Sequence, residues 1–391
     1  MAQRSIFRRL SKRFFITANL VVVLVFLLAC LQPWLNPEQF WFIGFLSLAL
    51  PYLLLVVVAF LLFWAVAKPR YMLISAIALV LGYRQISVLY NLNHQPFTAA
   101  KKESRLRVLS WNIRSFQGAG TGKVDKRANA DRIMQLIDTT APDVVCFQEF
   151  GQYNKPGLGE NYVKDMEALG YRYHVQSKDY TRVKYYYTNG LAIFSRYPII
   201  AQKRIPFTSN PESLLYADVA MPLGDTIRIF TAHLQSFKFT PHEMEALENA
   251  SAQEKEVLSK SRNIVAKMKR AFRNRGSQAD QIASYLDSSA YPAVFTADLN
   301  DVPGSYAYWR LCGQKLQDAF LAQGYGLGRT FLSLAPTLRI DYIMASLNLP
   351  IEQFAVLNSR SSDHLPLVAD ILLPSGQNAL QKKPAGKSRK L

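Results

Sequence analysis

Cysteine is nearly missing from this chain: three in 391 residues, at Cys30, Cys146 and Cys312, none with a second cysteine at metal or redox spacing. That excludes a disulfide framework and a cysteine-built metal site, and each reads as a small buried hydrophobe. No GxGxxG or GxxxxGKS/T loop occurs, which removes support for dinucleotide or P-loop binding. There is no internal repeat. Histidine is sparse, and His94, His174 and His242 have no partner at His-x3-His spacing. Acidic residues are scarce at the start, where residues 1–100 hold only Glu38 against eight Lys/Arg, while the rest carries 38 Lys/Arg and 27 Asp/Glu.

Long uncharged apolar runs are present. Residues 14–31 and 40–67 contain no charge, and a helix needs about 20 apolar residues to cross a bilayer core. A third segment, 71–90, is interrupted by Arg84 and Gln85; an arginine near the end of a span reaches the headgroups with its charge. The expectation is a membrane anchor over residues 1–90 with three transmembrane helices, 14–31, 40–67 and 71–90. A cleaved signal peptide fits less well, because further apolar segments follow and no small-x-small cleavage site precedes Pro33. Arg4, Arg8, Arg9, Lys12 and Arg13 precede the first run, Lys68 and Arg70 follow the second, and the loop 32–39 has no Lys or Arg. The positive-inside rule places both basic ends in the cytoplasm. Three spans then carry the remainder to the outer, periplasmic side of a bacterial cytoplasmic membrane; two would leave it inside.

Residues 91–104 read as a polar connector and 105–375 as one layered α/β unit. Residues 376–391, with Lys382, Lys383, Lys387, Arg389 and Lys390, have the composition of a basic disordered tail. Apolar and β-branched runs bounded by turn residues predict strands at 106–112, 144–148, 171–176, 191–195, 214–221, 227–233, 293–298, 340–345, 352–356 and 367–372. Ile133, Met134, Leu136 and Ile137 give helical spacing over 127–139, ended by Ala141-Pro142. Pro241 opens a helix to about Arg275, 277–286 forms another, and Pro303-Gly304-Ser305 leads into a helix through Trp309 and Leu311. Strands outnumber helices without strict alternation, the pattern of a two-sheet sandwich flanked by helices.

Six of these runs end on, or run into, a polar residue suited to a cation or a phosphate. They are Trp111-Asn112, Gln148-Glu149, Ala232-His233, Asp298-Leu299-Asn300, Ile340-Asp341-Tyr342 and Ser362-Asp363-His364. Singly, each is more often a turn or a helix cap. A buried strand, however, has no use for such an ending unless something outside the sheet binds there, and packed sheets deliver their strand ends to a common rim.

In this order the series resembles the endonuclease/exonuclease/phosphatase superfamily, which includes DNase I-like nucleases, apurinic endonucleases, neutral sphingomyelinases and inositol polyphosphate phosphatases. The likeness runs from about residue 106 to 371, with Asp298-Leu299-Asn300 and Ser362-Asp363-His364 its most specific parts. It implies an α/β fold, the DNase I-like four-layer α/β/β/α sandwich, here preceded by transmembrane helices. It also implies Glu149 as a metal ligand with Asn112 beside it, and Asp363 as a further carboxylate. Asp298 would orient or deprotonate a water, and Asn300 would hold that water or a phosphate oxygen. His364 would stabilise phosphate charge as an imidazolium, with Asp341 on its other ring nitrogen. His233 separates this chain from apurinic endonuclease-like members, which usually have Tyr there, and groups it with members that have His. Asn189, in Asn189-Gly190, either borders the phosphate pocket or makes a turn.

The chemistry asks for the same groups. A phosphodiester resists attack because it is anionic, so a hard cation with oxygen ligands must offset its charge, and Mg²⁺ suits that role. The sequence thus points to a membrane-anchored Mg²⁺-dependent phosphodiesterase, with Mn²⁺ as a substitute, acting on nucleic acid or a phospholipid headgroup. An inositol-phosphate-type phosphomonoesterase and a non-catalytic membrane-tethered binding module remain open, and no protein partner is legible. Arg262, Lys267, Lys269, Arg270, Arg273 and Arg275 crowd one helical stretch, and residues 182–187 mix charge with tyrosines. Such patches suit nucleic acid or anionic headgroups, or form a solvated face.

Overall fold

The computed structural model describes residues 2–93, 96–101, 104–120, 124–155, 157, 159–240, 243–244, 247, 254–313 and 315–374. The basic tail, the Pro241 helix start, His94 and His242 lie outside the described residues.

The first helices form an up–down–up bundle. α1 (Ala2–Cys30) and α2 (Ile43–Ala67) run antiparallel, with the Phe15 and Phe63 rings 5.1 Å apart near one end and Ser47 bonded to Gln32 at the other. The stretches Phe7–Trp34 and Ile43–Ala67 are long and apolar enough to cross a membrane. The third expected span is not one long helix. It is α3 (Met72–Leu81), a break at Gly82, and the single turn α4 (Tyr83–Ile86). The chain nevertheless returns along α1. Lys12 lies 5.6 Å over the Tyr71 ring at the basic end, and Gln85 Nε2 donates to the Cys30 carbonyl (3.4 Å) at the other. The path from Pro69 to Ile86 covers roughly 27 Å at helical rise, close to a hydrocarbon thickness.

Two sheets follow. The first is ordered β12 (Ile351–Val356), β13 (Leu367–Leu372), β1 (Arg105–Asn112), β2 (Val144–Tyr153), β5 (Tyr187–Ser195) and β3 (Tyr173–Gln176), with β4 (Tyr180–Arg182) also on β5. The second is ordered β10 (Leu316–Asp318), β11 (Asp341–Ser346), β9 (Ala293–Asp298), β8 (Thr226–His233), β7 (Ser213–Ala220) and β6 (Ile199–Pro206). Their inner faces meet through Val108, Cys146 and Ile193 on one side and Ile229, Val294 and Ile343 on the other. The outer face of the first sheet, with Leu109, Trp111, Val145 and Phe147, is covered by α5 (Lys126–Thr140) and α6 (Tyr162–Ala168). The outer face of the second, with Phe230, Phe295 and Met344, is covered by α7 (Glu254–Asp287) and α8 (Tyr306–Cys312). This is the four-layer α/β/β/α sandwich. Both faces of the central strands are buried, which is why their sequences are continuous apolar runs instead of alternating ones. Each fully buried large side chain contributes about 1.5–3 kcal/mol.

Local signals set the helices. Asp125 caps α5 by accepting from the Arg127 and Ala128 N–H groups, and the helix stops at Ala141 in the left-handed region before Pro142. Ser305 caps α8 through the Tyr308 N–H. α7 is one helix where the sequence suggests two. Gly276 sits inside it because a Cβ there would overlap Asn36 of the bundle, so this glycine serves close packing and breaks nothing. The three cysteines are unpaired.

The bundle end remote from Lys12 is docked on the sandwich. Asn36 Nδ2 donates to Asp280 (2.8 Å), Trp309 Nε1 donates to Gln85 (2.9 Å), and the buried Arg339 donates to the Val88 carbonyl (2.7 Å). The Phe45 and Phe272 rings meet at 5.1 Å, and a Cβ on Gly44 would overlap Phe272.

Candidate active site

Topology brings the six polar endings to one rim. β1 and β2 are parallel, as are β8 and β9, so Asn112 pairs in register with Gln148 and His233 with Asp298 at the ends of their strands. β11 runs antiparallel to β9, which places its first residue, Asp341, opposite Asp298. β13 runs antiparallel to β1, so the residues ahead of it return to the same edge, where Trp111 Nε1 donates to the His364 carbonyl (2.8 Å).

The side chains converge on Asp298. Asn112 Nδ2 donates to Asp298 Oδ2 (2.9 Å) and reaches Glu149 Oε1 (3.2 Å). The same Asp298 oxygen lies 3.6 Å from His233 Nε2 and 3.7 Å from His364 Nε2, and His233 Nε2 is 3.9 Å from Glu149. On its other side the His364 Nδ1 meets Asp341 at 2.9 and 3.1 Å. Asn300 holds the arrangement from below: its N–H donates to Asp298 Oδ1 (2.8 Å), and its amide donates to the Leu234 carbonyl (3.0 Å). That amide therefore clamps two loops together in addition to whatever it offers a substrate.

Two of these residues have unusual backbones. Glu149 (φ +52°) lies where the β2–β5 register shifts between Phe147 and Phe150, a bulge that re-aims its side chain. Asn300 (φ +51°) turns the chain directly after Asp298. Such conformations persist where the surroundings over-determine them and are concentrated at functional sites.

Asp363 takes a different position. Its carboxylate lies 3.4 Å from Arg114 and 3.3 Å from the Ser362 hydroxyl, and no hydrogen bond or ion pair joins it to Glu149 or Asn112 among the described residues. Asn189 is not in a turn. It lies inside β5 beside Gly151 and donates to Ser115, whose hydroxyl in turn contacts the Glu149 carbonyl.

Electrostatics follow from burial and crowding. For His364, burial works against charge, but Asp341 and Asp298 outweigh it and hold the imidazolium up to about 10. Burial also lifts the Asp341 carboxyl to about 6, so the pair keeps one proton through neutral pH, on the ring that faces two carboxylates. For His233, burial is again overcome, by Glu212, Asp298 and Glu149, and its pKa is raised.

The donor set is oxygen-rich and suits a hard divalent cation. Asp298, Asp341 and His364 each offer a ligand atom, all within 4.8 Å of one another. Asp341 and the His364 Nδ1 are already engaged with each other, so this triad is built as a relay. Glu149 is the freer carboxylate: its side chain is 35% exposed.

Several neighbours are invisible to sequence reasoning. Glu212 is buried beside His233 and held by Tyr180 and Asn210. Arg275, which sequence assigns to a basic surface cluster, is buried, donates to the Asn300 carbonyl, lies 3.5 Å from Asp301, and is stacked by Phe237 and Phe272. Two of its neighbours are engaged, Lys267 with Glu243 and Lys269 over Trp41 of the helix bundle, while Arg270 and Arg273 are exposed. Their i, i+3 and i+7 spacing (Phe272, Arg275, Ala279) is the one cue that this face of α7 turns inward.

The model of the Endonuclease/Exonuclease/phosphatase family matches residues 109–364, and a domain of unknown function (DUF8431) matches residues 12–89, the helix bundle. No curated protein matches. Among solved structures, an endonuclease/exonuclease/phosphatase from Beutenbergia cavernae is 22% identical with a TM-score of 0.50, over 69% of this chain and 72% of its own. The human Nocturnin catalytic domain with bound sulfate is 19% identical with a TM-score of 0.49, over 69% and 94%. A humanised D. rerio TDP2 is 18% identical with a TM-score of 0.48, over 69% and 99%. At 22% identity the likeness to the Beutenbergia cavernae protein is one of fold.

Proposed function

Because this chain belongs to the endonuclease/exonuclease/phosphatase family, we propose that it is a membrane-anchored, divalent-cation-dependent phosphodiesterase, cleaving its ester by in-line attack of water. The observation that carries this reading is the meeting of Asn112, Glu149, His233 and His364 around Asp298.

Glu149 would hold the cation, oriented by the Asn112 amide, with Asp363 as a further carboxylate tethered by Arg114. Bound there, Mg²⁺, or Mn²⁺ in its place, would offset charge on the phosphate and leaving oxygen. Asp298, fixed by the Asn300 N–H and the Asn112 amide, aims the water and accepts its proton. The water oxygen joins phosphorus, one P–O bond breaks, and the leaving alkoxide takes a proton from solvent water, while Asp298 later returns its proton to solvent. His364, kept charged by Asp341, donates to the phosphate oxygens, and His233 faces the same charge from the other side. Asn189 and Ser115 line the edge beyond Glu149.

Two helices of spanning length, with a third segment returning along α1, support an anchor whose basic end faces the cytoplasm and whose catalytic domain lies on the outer side of a bacterial cytoplasmic membrane.

The test is release of p-nitrophenolate from bis-p-nitrophenyl phosphate by the full-length protein in detergent. Turnover should vanish on chelation and return with Mg²⁺ or Mn²⁺. No turnover with any divalent cation, or full turnover after rigorous chelation, overturns the proposal.

A further inference from the structure

Three loops that carry or touch the catalytic side chains lie against the anchor. Beyond His233 the chain reaches Phe237, whose ring meets Phe272 at 5.5 Å, and Phe272 meets Phe45 of α2 at 5.1 Å. Beyond Asn300, Val302 and Pro303 share a small cavity with Leu48 and Pro51 of α2. Ahead of Asp341, Phe331 packs on the His364 ring at 4.9 Å, and Thr337 approaches the Tyr52 hydroxyl (3.5 Å).

These contacts set a depth. From Tyr52 to Ala67, α2 spans roughly 24 Å at helical rise, most of a hydrocarbon core. Tyr52 therefore stands near the core's edge, and the loop bonded to it stands there too. On that same loop Leu327 and Leu334 are 45% and 42% exposed, and Leu327 borders the cavity against Pro51. Leucines left uncovered beside an apolar helix at this level are wetted by lipid, not by water. The flank of the site formed by these loops is closed by α2, whereas a nucleic-acid strand crossing a scissile phosphate needs room on both sides. Of the α7 cations that could track such a strand, Arg275 is buried and Lys269 lies over Trp41 of the anchor, whereas Arg262, Arg270 and Arg273 are exposed.

We infer that the phosphoester cleaved at this site belongs to a lipid headgroup of the leaflet in which the docked end of the bundle lies, admitted past the Leu327–Leu334 edge. The inference rests on the phosphodiesterase reading above.

The experiment uses the full-length protein in nanodiscs made from phosphatidylethanolamine, phosphatidylglycerol and sphingomyelin. Three rates are compared: loss of bilayer phospholipid, cleavage of plasmid DNA and RNA, and hydrolysis of bis-p-nitrophenyl phosphate. Lipid should be consumed faster than either nucleic acid. Leu334→Glu should slow lipid hydrolysis by about tenfold or more, the worth of one apolar side chain withdrawn from lipid, while the bis-p-nitrophenyl phosphate rate, which also reports folding, stays within about twofold. Faster cleavage of nucleic acid by the unmodified protein, or no lipid loss while bis-p-nitrophenyl phosphate is hydrolysed, overturns the lipid assignment and leaves the phosphodiesterase standing. Unchanged lipid turnover in a folded Leu334→Glu overturns it as well. Silence in all three assays refutes the underlying reading instead.

Discussion

Glu149 and Asp298 share one hydrogen-bond donor: the Asn112 amide nitrogen lies 3.2 Å from the first and 2.9 Å from the second. Two carboxylates gathered on a single neutral donor repel each other unless positive charge joins them; the His233 and His364 rings stand nearest, and the proposed cation would add to it. In the proposed mechanism Asn112 fixes the direction of the cation's ligand. Asn112→Ala should raise the Mg²⁺ concentration needed for half-maximal turnover by about 10–100-fold, the usual effect of removing an outer-shell orienting partner. A titration of bis-p-nitrophenyl phosphate hydrolysis against Mg²⁺ checks this.

Asp298→Ala and His364→Ala remove the proposed water-aiming carboxylate and phosphate-facing imidazolium. Each should lower kcat by about 10²–10⁴-fold. Both variants should still fold, but His364→Ala should lower the melting temperature, because it leaves the buried Asp341 carboxylate without its partner; a circular dichroism spectrum checks folding. Unchanged turnover in both variants refutes these roles.

The pH profile tests the relay. His364 is raised from 6.5 to about 10 because Asp341 and Asp298 outweigh burial. A folded-state pKa above the unfolded value means the stabilisation is full below about 6.5 and is lost as pH climbs through about 10. Activity dependent on the imidazolium should therefore decline on the alkaline side, toward that upper value. Asp341→Asn removes the larger carboxylate contribution, so its alkaline limb should move acid by one unit or more, roughly 1.4 kcal/mol per unit. A limb that does not move would separate Asp341 from the chemistry.

A stability prediction concerns the first sheet. Arg107 is fully buried and bidentate to Asp370 (2.6 and 2.8 Å), and it also donates to the carbonyls of Ala99 and Thr140. Arg107→Ala strands a buried carboxylate and should cost about 3–5 kcal/mol, read as a drop in the thermal transition of the purified full chain. Arg107→Ala with Asp370→Ala should recover part of the loss, since no lone charge then remains.

The strand endings are legible in sequence because buried runs must be apolar on both faces, so each terminal Asn, Asp, Glu or His stands out. What lies at the sheet edges is not. β6 (Ile199–Pro206) is mostly exposed and carries Gln202, Lys203 and Arg204, so it has no apolar signature to read. β10 and β4 are three residues each. The convergence of His364 and Asp341 follows from antiparallel returns that only the sheet order reveals. Glu212 hides in Asn210-Pro211-Glu212, which has turn composition, and Arg275 hides among cations of which it alone is fully buried. The third apolar segment differs in form from the single helix expected: the helix stops at Leu81, and Gly82 divides it from the turn Tyr83–Ile86.

Gly44 and Gly276 let the helix bundle and the sandwich approach closely at two points, one beneath the Phe272 ring and the other beneath Asn36. Through Phe272 and Arg275 that joint continues to the Asn300 turn. The N-terminal quarter is consequently no interchangeable leash. A chimera that grafts residues 105–375 onto a foreign tether would lose the Phe45 ring that backs Phe272 behind the arginine, so the two parts must be inherited and altered together.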